Sequence, residues 1–163
     1  MKRSKPSAAP SPPSGRKSSG GSWKTPEPAD VISYSYLWAR EAAAGEESGR
    51  KDRPVVVVVA TLARGDGTLL FVAPVTHTAP GHDTDAIEIP LNVKKQLGLD
   101  SQRSWIVLTE LNRFLWPGPD VRLAPGNEDP FYDALPDWLF LRVKDRILAH
   151  AGASRLRVTK RTE

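Results

Sequence analysis

No segment limits the possible folds of this chain more than Arg53-Pro54-Val55-Val56-Val57-Val58-Val59-Ala60. Consecutive valines are stiff at χ1, favour the extended backbone, and here lack the polar alternation of a half-exposed strand. The segment therefore reads as a strand buried on both faces. Pro54 has no N–H for a ladder and fits only at the first residue of that strand. Arg64-Gly65-Asp66-Gly67 supplies a turn with residues able to take positive φ, and Leu69-Leu70-Phe71-Val72-Ala73-Pro74-Val75-Thr76 reads as the returning strand. Residues 54–76 are thus a hairpin, which sets Arg53 beside Thr76 near one rim.

The flanking segments follow the same rules. Residues 31–38, aromatic and β-branched, read as a strand. Residues 40–52, rich in Ala, Gly and Glu with Glu46 and Glu47 facing solvent, are a long loop or a frayed helical turn. Residues 78–85 are a loop and 86–89 a short strand. Residues 90–97 are a helical turn with Pro90 near its start and Gly98 just past its end. Residues 104–111 read as another buried strand, and Trp116-Pro117-Gly118-Pro119-Asp120 as a turn. In residues 135–149, Trp138, Leu141 and Leu148, with Phe140, Val143 and Ile147, recur at helical spacing. They predict a helix seated through Trp138, Leu141, Val143 and Ile147, capped by Asp133 or Asp137 and ended by Gly152. The fold class is mainly β with α, a small β-barrel under a C-terminal helix.

Charge is unevenly spread over the 163 residues. Residues 1–24 carry +6 with no acid, residues 155–163 carry +3, and the stretch between them carries −5. The Ser/Pro/Gly/Lys/Arg-rich start has too little apolar surface to offset its ordering entropy. Residues 1–28 are therefore expected as a disordered basic tail, 29–152 as the folded domain and 153–163 as a second basic tail. Such tails attract phosphates or acidic lipid in a salt-dependent way, or serve only to solubilise the chain. The chain has no cysteine, which excludes disulfides, thiolate metal sites and thiol nucleophiles. Its basic start lacks the apolar stretch of a secretory signal, and its longest apolar run is about half a membrane span. A soluble cytoplasmic protein without membrane contact is expected.

The common chemical motifs are absent. Gly65-Asp66-Gly67 lacks the later Gly and Lys of a phosphate-binding loop, and no Gly-x-Ser-x-Gly elbow occurs. His77, His82 and His150 are too scattered for a thiol-free zinc site. His77 and His82 can meet in one loop near Asp83 or Asp85, but no metal and no cofactor are expected.

An ordered set of short segments carries more information. Glu46-Glu47-Ser48-Gly49-Arg50-Lys51-Asp52-Arg53-Pro54-Val55-Val56-Val57-Val58 precedes Val72-Ala73-Pro74-Val75-Thr76. Then come Glu88-Ile89-Pro90, Gly98-Leu99-Asp100 and Ser104-Trp105-Ile106-Val107-Leu108. In order and spacing this resembles the MazF/PemK toxin family, over roughly residues 30–125. The resemblance implies an SH3-like (CcdB/PemK-like) barrel with a C-terminal helix. It also implies a homodimeric, metal-independent ribonuclease that cuts single-stranded RNA and is held inactive by a cognate antitoxin. Arg53 and Thr76 match the family's catalytic Arg and Thr. Two positions depart from the pattern. Ala29 stands where the family has Gly, and Thr109-Glu110-Leu111-Asn112 stands where it has Glu-Gln-Ile-Arg, with the basic residue one place later at Arg113.

The implied chemistry suits these residue types. Cleavage by the 2′-hydroxyl needs its proton removed, a dianionic phosphorane stabilised and the leaving 5′-oxygen protonated. A guanidinium fork matches two phosphoryl oxygens, and a threonine hydroxyl can hold a third group in line. Arginine is a poor proton donor, whereas an imidazole suits proton transfer, which nominates His77. Strand alternation points His77 away from Thr76 unless the strand has already ended. Arg50, Lys51 and Arg113 are the expected RNA-binding cations. The alternative is a non-catalytic barrel of the same fold that binds RNA or a protein partner, which the acidic middle of the chain favours.

Overall fold

The valine strand divides the interior of the protein in two. In the computed structural model, which describes residues 23–161 apart from 48, 50, 64 and 66, Val56 and Val58 enter one apolar cluster. Val55 and Val57 enter another on the opposite face. Val31 and Ile32 of the preceding strand split the same way. A bulge interrupts the register between Val57 and Val59, and past it Val59 is 40% exposed. Four of the five valines are therefore buried, and the fifth is turned out by the bulge. Arg50 and the expected disorder of residues 1–22 lie outside the described residues.

The elements in order are β1 (Asp30–Tyr34), α1 (Ala39–Ala43), β2 (Arg53–Leu62), β3 (Thr68–Thr76), a 3-10 turn (Asp83–Asp85), β4 (Ala86–Glu88), α2 (Leu91–Leu97), β5 (Trp105–Val107), β6 (Glu110–Trp116), β7 (Val121–Arg122), β8 (Phe131–Ala134), α3 (Asp137–Gly152) and β9 (Arg157–Lys160). The strands form one nine-stranded sheet with the path β4-β5-β3-β2-β1-β7, while β6 joins β3, β9 joins β6, and β8 joins β1. All pairings are antiparallel except β6–β9. β3 is the pivot. Its residues 68–72 pair with β6 and its last two, Val75 and Thr76, pair with β5. No helix among the described residues is long and apolar enough to cross a membrane.

Several expectations need correction. Residues 104–111 are two strands rather than one, because the chain changes partner at Leu108, whose N–H donates to Asp85 O at 2.8 Å. β1 stops at Tyr34, four residues early, as the chain leaves the sheet. α3 does not seat through Trp138 or Leu141, which are 49% and 58% exposed. Val143 and Ile147 face the core as expected, joined by Leu139 and His150. The helix carries two apolar stripes about one residue apart, and the i, i+4, i+8 stripe wins. Neither Asp133 nor Asp137 caps it: Pro136 is the N-cap and Asp137 lies in the first turn, where a carboxylate favours the helix dipole. Gly98 does end α2, with φ of 79°.

Both expected tails are shorter than their composition suggests. Trp23 sits 6.2 Å from Trp116 between ring centroids, Lys24 lies over Phe131, and Ala29 N–H bonds to Val57 O. At the other end, β9 pairs in parallel with β6, and Arg161 is buried. Its Nη1 donates to Ser35 O at 2.7 Å and to Asn112 Oδ1 at 2.9 Å. Its Nη2 forms an ion pair with Asp120 at 3.0 Å. Charge alone marked residues 155–161 as a tail, but alternate residues of β9 need only one strand edge to pair with.

Two stability predictions follow from this packing. Leu139→Ala should cost about 2–5 kcal/mol in urea unfolding, whereas Leu141→Ala should stay within about 0.5 kcal/mol. Arg161→Ala, which strands Asp120 and two acceptors, should cost about 3–5 kcal/mol in the same assay; an unchanged midpoint would refute the buried role.

Candidate active site

The open end of the β2–β3 hairpin builds the site. Val56 pairs with Ala73 and Val55 with Pro74, and continuing that register sets Arg53 opposite Thr76. The Arg53 side chain spans the gap, Nη1 donating to Val75 O at 3.1 Å. Its guanidinium lies 5.1 Å from the centroid of the Trp38 ring, which Arg40 also covers. Burial lowers the Arg53 pKa from the ordinary arginine value, with Glu41 opposing and Arg40 reinforcing the shift. An arginine so placed remains a cation at neutral pH. Its Nε is buried with no hydrogen-bond partner among the described residues. Such a donor costs on the order of 1–3 kcal/mol, which an entering oxyanion would recover.

Thr76 is the last residue of β3, so strand alternation no longer governs His77. Thr76 Oγ1 accepts from Thr78 N at 3.2 Å, which leaves its hydroxyl proton free to donate. His77 Nε2 meets Asp100 Oδ2 at 2.9 Å, in the loop after α2. Asp100 Oδ1 accepts from Lys94 Nζ at 2.8 Å and from Gln102 N at 3.1 Å. Lys94, only 2% exposed, also donates to Gln102 O and to Ser104 Oγ, the latter at 2.7 Å. The Lys94 hydrogen bond holds the Asp100 carboxyl below its ordinary range, with burial opposing it and His77 adding to it.

Two clefts meet here. One, of about 420 Å³, reaches from Arg53 to Leu99, Asp100, Ser104 and Tyr132. The other, of about 390 Å³, reaches to Tyr36, Trp38, Arg40 and Glu41. Lys51, Arg53, Thr76 and His77 line both. The structure thus brings together four of the sequence-nominated residues. It does not bring Arg113, which lines neither cleft and pairs in the sheet with Phe71 and Lys160. The one-residue shift explains this: Asn112 takes the inward position and Arg113 the outward one. The guanidinium beside Asn112 comes from Arg161.

Trp38, Lys94, Asp100 and Tyr132 were not nominated by sequence. A lysine one turn before a helix-ending glycine, with an aspartate two residues after it, was a readable sign of the Lys94–Asp100 pair. Nothing local announced Tyr132. Among the described residues no group of three or more His, Asp or Glu side chains lies together as a metal ion would need. His150 is buried and donates from Nε2 to Thr84 O at 2.8 Å, away from this site.

Comparison with known protein families and with curated proteins finds no match for this chain.

The depressed Asp100 pKa implies a pH dependence. A carboxyl whose folded pKa is lowered adds stability that is present above its unfolded value and is lost as pH falls through the folded one. Asp100→Asn should therefore lower the thermal midpoint at pH 7, and the gap from wild type should close as pH drops below about 4. A gap that stays constant to pH 2 would show that the carboxylate charge is not the cause.

Proposed function

We propose that this protein is a metal-independent endoribonuclease of the MazF/PemK type that cleaves single-stranded RNA. The observation that carries the reading is the wall shared by two clefts, where Lys51, Arg53, Thr76 and His77 stand together. A strand laid across that wall places one phosphodiester on it and a nucleotide in each cleft. The bent sheet pivoting on β3, closed over by α2 and α3, is consistent with an SH3-like barrel. A homodimer, a cognate antitoxin and a cytoplasmic location belong to the same proposal.

The chemistry uses groups already in place. The 2′-oxygen attacks the adjacent phosphorus, the P–O5′ bond breaks, and the products are a 2′,3′-cyclic phosphate and a 5′-hydroxyl. Arg53 and Lys51 offset the charge that grows on the phosphoryl oxygens. The orphaned Arg53 Nε–H gains an acceptor there. Thr76 donates its hydroxyl to a non-bridging oxygen, and His77 moves a proton. The field of the fold itself is weak, since residues 23–161 contain 18 basic and 18 acidic residues. Residues 1–22 hold five basic residues and no acid, and they supply the attraction to a polyanion.

One observation favours the second reading, a non-catalytic RNA- or protein-binding module. Arg53 Nη1 already donates to Val75 O, and its guanidinium already lies over the Trp38 ring. The two readings separate by assay. With chelator present, wild type should cut single-stranded RNA and leave cyclic-phosphate ends. Arg53→Ala should lower the rate by about 10²–10³ with an unchanged melting curve, and Arg53→Lys should not restore it, because a point charge lacks the fork. Binding without cleavage by wild type, and induction that spares growth, would put the binding module in its place.

A further inference from the structure

We propose that Asp100 and Lys94 are positioning residues that set His77 as a base, committing Nε2–H to the Asp100 carboxylate and leaving the Nδ1 lone pair for the substrate's 2′-hydroxyl. This rests on the nuclease reading and adds to it the direction in which His77 moves the proton.

The logic begins at Lys94. Its ammonium is buried, and its three donors go to Asp100 Oδ1, Gln102 O and Ser104 Oγ. A fully engaged, buried cation cannot turn away, so it anchors a carboxylate that is itself half exposed. This separates the arrangement from an ordinary surface His–Asp pair, whose two flexible partners hold each other weakly. An ionised carboxylate only accepts hydrogen bonds. Asp100 Oδ2, 2.9 Å from His77 Nε2, therefore requires the hydrogen on Nε2. In a neutral imidazole the other nitrogen then has none. With Nε2 turned to Asp100, Nδ1 is the nitrogen left for a ligand on the wall that His77 shares with Arg53 and Thr76.

The proton inventory closes. As the 2′-oxygen bonds to phosphorus, its proton passes to Nδ1, and Asp100 faces the imidazolium so formed. The P–O5′ bond breaks, and the 5′-oxygen takes a proton from water. The resulting hydroxide takes the proton from Nδ1, which regenerates the neutral ring. Asp100 and Lys94 touch no reacting atom; they act through His77.

The amide variant makes this testable. In Asp100→Asn, the side-chain oxygen stays with Lys94 and the amide NH₂ faces His77. A donor there demands a lone pair on Nε2, so the hydrogen moves to Nδ1 and the base is lost. Long-range ¹⁵N–¹H correlation of the full-length, ¹⁵N-labelled protein at pH 8 reads the tautomer directly. Wild type should show His77 with hydrogen on Nε2, and Asp100→Asn with hydrogen on Nδ1. Lys94→Met, a second variant, should broaden or mix the two forms. On RNA, Asp100→Asn should lower kcat at least tenfold with KM unchanged, and Asp100→Glu should recover part of it. A wild-type ring with hydrogen on Nδ1, or an even mixture, overturns the proposal whatever the activity. Full kcat in Asp100→Asn overturns it as well. The expected tautomer in a wild type that cuts no RNA overturns the nuclease reading, and the base role with it, while the Nε2–H assignment stands.

Discussion

Between Tyr34 and Trp38 the chain leaves the sheet inside the protein, and its peptide groups need partners that no neighbouring strand supplies. Asn112 and Arg161 supply them. The Asn112 amide accepts from Leu37 N at 2.9 Å and donates to Leu37 O at 2.8 Å, imitating a strand partner with one side chain. Arg161 reaches Ser35 O and the same Asn112 oxygen, and Asp120 lies against its charge. The Ser35 N–H goes to Asp120 O at 2.9 Å. Three segments distant in sequence thus close over one stretch of backbone. Removing any one member leaves buried polar groups without partners, the costly outcome for such a network.

The candidate site depends on that closure. Leu37, held by Asn112, is followed by Trp38, on which the Arg53 guanidinium stacks. Glu41 Oε1 accepts from Trp38 N and so starts α1 at this point. Glu110 adds a further tie, accepting from Tyr36 Oη and Ala39 N through one oxygen. The orientation of Arg53 is therefore set from below by a polar network and from the side by the hairpin, through Val75 O. On the opposite side of the shared wall, buried Lys94 does the same for His77 through Asp100. Two cations, one half-buried and one fully buried, define the site from its two ends. Both stand on regular elements, Arg53 on β2 and Lys94 on α2.

Local pattern determined much of this. The valine run, the Arg53-Pro54 pair at its start and the glycine turn specified the central hairpin, and with it the meeting of Arg53 and Thr76. That is legible because a hairpin is a local object whose register follows from its ends. The α2 stop at Gly98 is legible for a similar reason, the left-handed backbone that glycine accepts. Tertiary structure decided the rest. Which stripe of α3 faces inward depends on the surface it meets, since Trp138/Leu141 and Leu139/Val143/Ile147 are equally apolar on paper. The partner change at Leu108 depends on β3 offering two different halves. β9 and Arg161 read as a charged tail because nothing within that segment reveals that β6 has a free edge, or that Ser35, Asn112 and Asp120 are short of a cation. Long-range pairing is a property of the assembled sheet, and a buried charge becomes affordable only once its distant partners converge on it.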